Sequence, residues 1–94
     1  YDVVKIIEGV NSKHIIYIRD SEREPMCIEG KYLQWALGND YLFNVMNYSE
    51  IETDVVQKNI VYVASKNSNI GRLTELGGMK YYENSKMEVY IVPN

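Results

Sequence analysis

The distribution of hydrophobic and polar residues predicts three short strands separated by polar segments. The runs are HIIYIRD at 14–20, YLFNVMN at 41–47 and IVYVAS at 60–65. The first contains four consecutive apolar residues, and the third is apolar almost to its end. Such runs are typical of strands that are buried on both faces, as in a parallel sheet.

Three other segments have the spacing of helices. Residues 2–10, DVVKIIEGV, carry apolar residues at i, i+3, i+4 and i+7, with Asp2 as a plausible N-cap. A helix over 70–76 would be capped by Ser68 or Asn69 and would end at the pair Gly77-Gly78. Between them, residues 26–37 predict a helix whose apolar stripe consists of Ile28, Tyr32, Trp35 and Ala36.

The last part of the chain predicts a β-hairpin. Apolar residues alternate on both sides of the segment 83–86 in the stretch 79–92. Residues 48–58, which contain three acidic residues, are interpreted as a solvated loop or irregular turn.

Together these elements predict a single α/β domain over residues 1–94. Helices between buried strands imply right-handed crossovers and parallel pairing, and the terminal hairpin adds antiparallel strands. We therefore expect a small open mixed sheet of about five strands with flanking helices, Rossmann-like in its parallel core.

Composition supports a strand-rich core and excludes several classes of protein. Ile and Val number twenty, against five Leu and two Ala, and β-branched residues favour strands. Ten Lys and Arg face thirteen Asp and Glu, so no basic surface for nucleic acid is expected. One Cys excludes a disulfide framework, and the longest uncharged run, nine residues at 41–49, is too short to span a membrane.

No pattern of residues predicts catalysis, a cofactor or a metal. Neither SEREP after the first strand nor KNSNIGR after the third is a glycine-rich phosphate loop. His14 and Cys27 each lack a partner at a suggestive spacing, and are interpreted as a strand-end residue and a small core residue. The acidic residues fall into two groups that are interpreted as solvated faces: Glu22, Glu24 and Glu29, then Glu50, Glu52 and Asp54.

If a small ligand binds, the carboxyl edge of the parallel strands is where the fold class would place it. The candidate pocket residues at that edge are Asp20, Ser21, Asn47, Ser65 and Asn67.

Aromatic residues raise a second possibility for function. Trp35 and Tyr32, with Leu33, are expected in the core, with a contact surface for a partner or a membrane as the alternative. Nine tyrosines in a small domain favour some exposure, above all in the hairpin, and Tyr is common in contact surfaces.

The chain resembles the soluble C-terminal domain of polytopic, lipid-phosphosugar-dependent membrane glycosyltransferases of the mannosyltransferase-like superfamily. The likeness rests on the strand HIIYIRD, the segment KYLQWALGN, the strand IVYVAS, a short helix ending in LGG, and the closing MKYYENSKMEVYIVPN. Within the last segment, a Gly-x-x-Tyr-Tyr run at 78–82 leads into Val89, Tyr90 and Ile91. The resemblance implies an extracytoplasmic domain that follows the last membrane helix. No position here matches the catalytic acid of those enzymes.

The resulting expectation is a non-catalytic accessory domain, cut from a longer bacterial membrane protein, for which the resemblance implies a glycosyltransferase. Its partner would be the membrane domain of the same protein, or another protein or a glycan. Neither binding of nucleic acid nor a cofactor is expected. The first alternative is a stand-alone, Rossmann-like cytoplasmic domain that binds a ligand or has a regulatory role. The second is a small enzyme, which would need polar side chains such as Asp20 and His14 to converge in one pocket.

Overall fold

The computed structural model describes residues 2–19, 28–51, 57, 59–66 and 71–92. Within these residues there are three α-helices: α1 (Asp2–Glu8), α2 (Ile28–Leu37) and α3 (Gly71–Glu75). The described part of the chain also has five strands: β1 (His14–Arg19), β2 (Leu42–Asn47), β3 (Ile60–Ser65), β4 (Met79–Glu83) and β5 (Met87–Ile91). Short 3₁₀ turns follow α2 at Gly38–Asp40 and β2 at Tyr48–Glu50.

The strands form one open sheet in the order β2-β1-β3-β5-β4. β1 pairs in parallel with β2 on one side and β3 on the other, while β5 pairs antiparallel with β3 and with β4. This confirms the predicted α/β class, the parallel core and the C-terminal hairpin. The final strand inserts beside β3, so that β2 and β4 are the two edges of the sheet that the described strands form.

Both faces of the sheet are covered by apolar side chains, as the continuous hydrophobic runs predict. Alternate residues of β1 point to opposite faces, because side chains alternate along a strand. Ile15 and Tyr17 pack on the face of α1 and α2, and Ile16 and Ile18 pack on the face of α3. The helices are thus divided between the two faces of the sheet.

The structure shows that the predicted orientation of α2 is wrong. The stripe expected in the core points outward, with Ile28 80% and Trp35 77% exposed. The helix instead buries the opposite side, formed by Gly30, Leu33 and Leu37. Of the three residues expected in the core, Leu33 is buried, whereas Tyr32 and Trp35 are exposed. Because α2 carries apolar residues on two sides, periodicity identifies the helix but not the side that packs against the sheet.

The end of α3 follows the predicted glycine signal. The backbone N–H of Gly78 donates to the Leu73 carbonyl at 2.9 Å, and Gly77 has a φ of +106°, which is a left-handed conformation that favours glycine. The predicted caps at Ser68 and Asn69 lie outside the described residues.

Candidate functional site

The carboxyl ends of the three parallel strands meet at one edge of the sheet, where the sequence predicts a ligand pocket. Arg19, Asn47 and Ser65 are the last residues of β1, β2 and β3. Alternation along each strand places all three side chains on the face of α1 and α2. The remaining predicted pocket residues, Asp20, Ser21 and Asn67, lie outside the described residues.

Asn47 is held by three hydrogen bonds at this edge. Its Oδ1 atom accepts a hydrogen bond from Arg19 Nε at 2.6 Å. Its backbone N–H donates to Glu50 Oε1 at 3.1 Å, and its side chain accepts from the Glu50 backbone, which makes a capping box. With only 9% of its surface exposed, Asn47 is a structural link between β1 and the turn after β2.

Arg19 is the residue of this edge that the sequence interpretation missed. It lies beside Asn47 in the register of the two parallel strands. The sequence feature that points to Arg19 is its charge at the last position of the buried strand HIIYIR. A guanidinium is a cation at all ordinary pH values and carries several N–H donors, so this edge has the chemistry to attract an anion.

A second charged cluster lies at the same edge, on the β4–β5 hairpin. Lys80 Nζ lies 2.9 Å from Glu88 Oε2 and 3.3 Å from Glu83 Oε2, and Lys66 also pairs with Glu83. The hydrogen bond to Glu88 is the main reason that the pKa of Lys80 is raised, and the hydrogen bond from Lys66 lowers the pKa of Glu83. Because opposite charges pair here, each group favours the charged form of its partner.

His14 lies far from both clusters. It begins β1, whereas Arg19 ends it, and a six-residue strand spans about 17 Å. Its Nε2 atom is buried and has no hydrogen-bond partner among the described residues. His14 therefore cannot join the polar residues at the carboxyl edge in one pocket.

The structure assigns no metal site to the part of the chain that it describes, because no three His, Cys, Asp or Glu side chains converge there. Cysteine and acidic residues of the sequence that lie outside that part include Cys27, Glu22, Glu24, Glu52 and Asp54.

The outer side of α2 is the most apolar exposed feature among the described helices. Ile28, Tyr32 and Trp35 follow one another at i, i+4 and i+7 and form what is here termed the α2 stripe. The rings of Tyr32 and Trp35 lie 5.7 Å apart between centroids, tilted by 49°. This is an ordinary geometry for an aromatic pair, and both rings belong to an apolar surface that is open to solvent.

A shallow groove of about 450 Å³ continues from the α2 stripe toward the edge strand β2. Its lining combines aromatic rings with amide side chains and includes Gln34, Trp35, Gly38, Asn39, Tyr41, Leu42 and Phe43. None of these residues is charged, so the groove suits a neutral, partly apolar surface.

The fold and these surfaces define a small α/β domain with an open five-stranded mixed sheet and an exposed aromatic helix face. No described helix is long and apolar enough to cross a membrane. Comparisons with protein families, with curated proteins and with solved structures find no match to this chain.

Proposed function

We propose that this chain is a non-catalytic accessory domain that acts by contact, as part of a longer bacterial membrane protein of the glycosyltransferase type. The observation that carries the contact role is the α2 stripe, in which Ile28 and Trp35 are 80% and 77% exposed. The sequence resemblance described above supports the choice of parent protein and a position outside the cytoplasm. A Rossmann-like parallel core is part of the same proposal.

Physical chemistry supports a contact role for the α2 stripe. A single exposed apolar residue is common, but adjoining large apolar side chains on one helix face mark interaction surfaces. Trp and Tyr also contribute more to binding than most residues, because they bury a large area with few rotatable bonds. The partner that we propose is the protein's own membrane domain.

Photo-crosslinking in the longer protein tests this proposal. Trp35 is replaced by the photoreactive amino acid benzoylphenylalanine, and membranes that contain the protein are irradiated. We expect crosslinks between position 35 and peptides of the membrane domain, identified by mass spectrometry. Tyr81, an exposed aromatic residue on the opposite edge strand, is the matched position for the control.

Each outcome has a defined meaning. Crosslinks from position 35 that do not exceed those from position 81 would overturn the contact role of the α2 stripe. Crosslinks to another protein or to a glycan would keep the contact role and overturn the choice of partner. A full-length gene without hydrophobic spans would overturn the membrane-protein assignment altogether.

The alternative function is a cytoplasmic, Rossmann-like domain that binds an anionic ligand at the carboxyl edge. The observation in its favour is that Arg19, Asn47 and Ser65 share one face at that edge. Thermal unfolding with phosphate, nucleotides and sugar phosphates tests it. Saturation at about 100 times the dissociation constant should stabilise the domain by about 2.7 kcal/mol, and Arg19→Gln should abolish that effect.

A further inference from the structure

The two edges of the sheet differ in how they are protected against pairing with another strand. Edge strands usually carry charges, a proline or a β-bulge, because their free backbone groups otherwise bind a further strand. β4 carries Lys80 and Glu83 and has an irregularity in its register between Lys80 and Tyr82. β2, with the sequence LFNVMN, has no charged residue and no proline. Only the β2 edge therefore has the composition of a strand that accepts a partner.

The backbone of β2 presents hydrogen-bonding groups on its outer side. The Leu42 N–H donates to the Lys13 carbonyl at 2.7 Å, so Leu42 directs its backbone groups toward β1. Because these directions alternate along a strand, Phe43 and Val45 direct their N–H and C=O groups outward. Within the described residues, no strand pairs with that side.

The side chains of β2 add apolar surface to both faces of this edge. Leu42 is 57% exposed and Val45 is 42% exposed, and they point to opposite faces of the sheet. A strand added at this edge would cover both side chains. Burial of apolar surface would then accompany the backbone hydrogen bonds.

We propose that the β2 edge pairs antiparallel with β2 of a second copy of this chain, which makes a continuous ten-stranded sheet. A two-fold axis at Asn44 pairs Phe43 with Val45 of the second copy, and Leu42 with Met46 of the second copy. Phe43 and Val45 then form about four backbone hydrogen bonds between the copies. Aromatic and β-branched residues are favourable cross-strand neighbours.

A second copy suits this edge because the contact is self-complementary and closed. Two-fold pairing places an uncharged strand against an identical uncharged strand, so that no like charges meet. The outer edges of the resulting sheet are both β4, whose charges oppose further addition. Association should therefore end at a dimer and not continue into fibres.

Sedimentation velocity across a range of protein concentrations tests the dimer. The chain has a mass of 10.9 kDa, and we expect the wild type to move with increasing concentration toward twice that value. In Asn44→Lys two lysines meet directly at the two-fold axis, and this variant should remain a monomer. Asn44 is exposed, so the substitution should not unfold the domain, which circular dichroism would check.

A charge-swap experiment tests the register itself. Asn44→Asp alone should also be a monomer, while a mixture of Asn44→Lys with Asn44→Asp should recover the dimer as a heterodimer. Tyr81→Lys adds the same charge to the opposite edge strand and should leave the wild-type dimer unchanged. A monomeric wild type, equal dimerisation of Asn44→Lys and Tyr81→Lys, or assembly beyond a dimer would each overturn the proposal.

This inference is independent of the contact proposed for the α2 stripe. The variant Ile28→Ser alters the stripe at a residue outside the groove that Trp35 shares with Leu42 and Phe43 of β2, so it should still dimerise. Loss of the dimer in this variant would place the interface on α2 and contradict pairing through β2. If the protein is monomeric and position 35 still forms crosslinks, the contact role of the α2 stripe is supported and the β2 dimer is overturned.

Discussion

Arg19 donates a hydrogen bond from Nε to Oδ1 of Asn47 at 2.6 Å, which joins the ends of two parallel strands that lie 28 positions apart in the sequence. The same Asn47 side chain caps the 3₁₀ turn that follows β2. One buried amide therefore fixes both the strand ends and the direction in which the chain leaves the sheet.

Loss of this amide should weaken the domain measurably. We expect Asn47→Ala to lower the free energy of unfolding by about 1–3 kcal/mol, because the cap and the bond from Arg19 disappear together. Urea denaturation provides the measurement. Asn44→Ala, at an exposed position of the same strand, should change the value by less than about 0.5 kcal/mol. Equal effects of the two substitutions would show that the Arg19–Asn47 hydrogen bond contributes nothing measurable to the free energy of unfolding.

The orientation of α2 can be tested by truncating one residue on each side of the helix. Leu33 is fully buried and Ile28 is largely exposed. We expect Leu33→Ala to lower the free energy of unfolding by about 2–5 kcal/mol, because it leaves a cavity in the core. Ile28→Ala should change it by about 0.5 kcal/mol or less. The reverse order would contradict the orientation of α2 in this structure.

Gly78 should tolerate no side chain. A Cβ atom at this position would lie 2.9 Å from both the Cγ and the carbonyl oxygen of Leu73, which is closer than carbon atoms pack. We expect Gly78→Ala to destabilise the domain by about 1–3 kcal/mol, measured by thermal unfolding. Gly9→Ala is the control, since its Cβ would make only contacts of 3.4 Å or more, and it should be neutral or stabilising by up to about 1 kcal/mol. A fall in stability for Gly9→Ala as large as that for Gly78→Ala would contradict this steric account.

Tyr62 links the core to the segment before β3, because its hydroxyl accepts a hydrogen bond from the Gln57 N–H at 2.7 Å. Tyr62→Phe should therefore lower the free energy of unfolding by about 1 kcal/mol at neutral pH. Tyr81→Phe, which alters an exposed tyrosine, should have no measurable effect.

Tyr62→Phe should also change how the stability of the domain depends on pH in the alkaline range. Burial raises the pKa of Tyr62 above its ordinary 10.0, so its contribution to stability is present below pH 10.0 and is lost as pH rises through the higher folded value. Urea midpoints measured across this range should fall more steeply in the wild type than in Tyr62→Phe. Parallel curves for the two proteins would contradict a raised pKa at Tyr62.

The sequence predicted secondary structure better than it predicted surfaces. The runs at β1 and β3 identified buried parallel strands, and Gly77-Gly78 identified the end of α3, because these signals act through neighbouring residues. The spacing of the α2 stripe predicts a position in the core, and this prediction is wrong. The helix has apolar residues on two sides, and local spacing does not show which side meets the sheet. Asn47 and Ser65 were found at the carboxyl edge, but Arg19 was not, because its role depends on the strand beside it.

The sequence by itself determined the α/β class, the parallel core and the terminal hairpin, because hydrophobic periodicity and turn residues are properties of adjacent positions. Only the tertiary structure decided the strand order, which leaves the uncharged β2 at one edge and the charged β4 at the other. It also decided that Tyr32 and Trp35 face solvent, whereas Leu33 of the same helix is buried as expected. Both outcomes depend on which strands and helices pack against each other in the sheet. Those contacts are made between residues far apart in the chain, so local sequence patterns do not determine them.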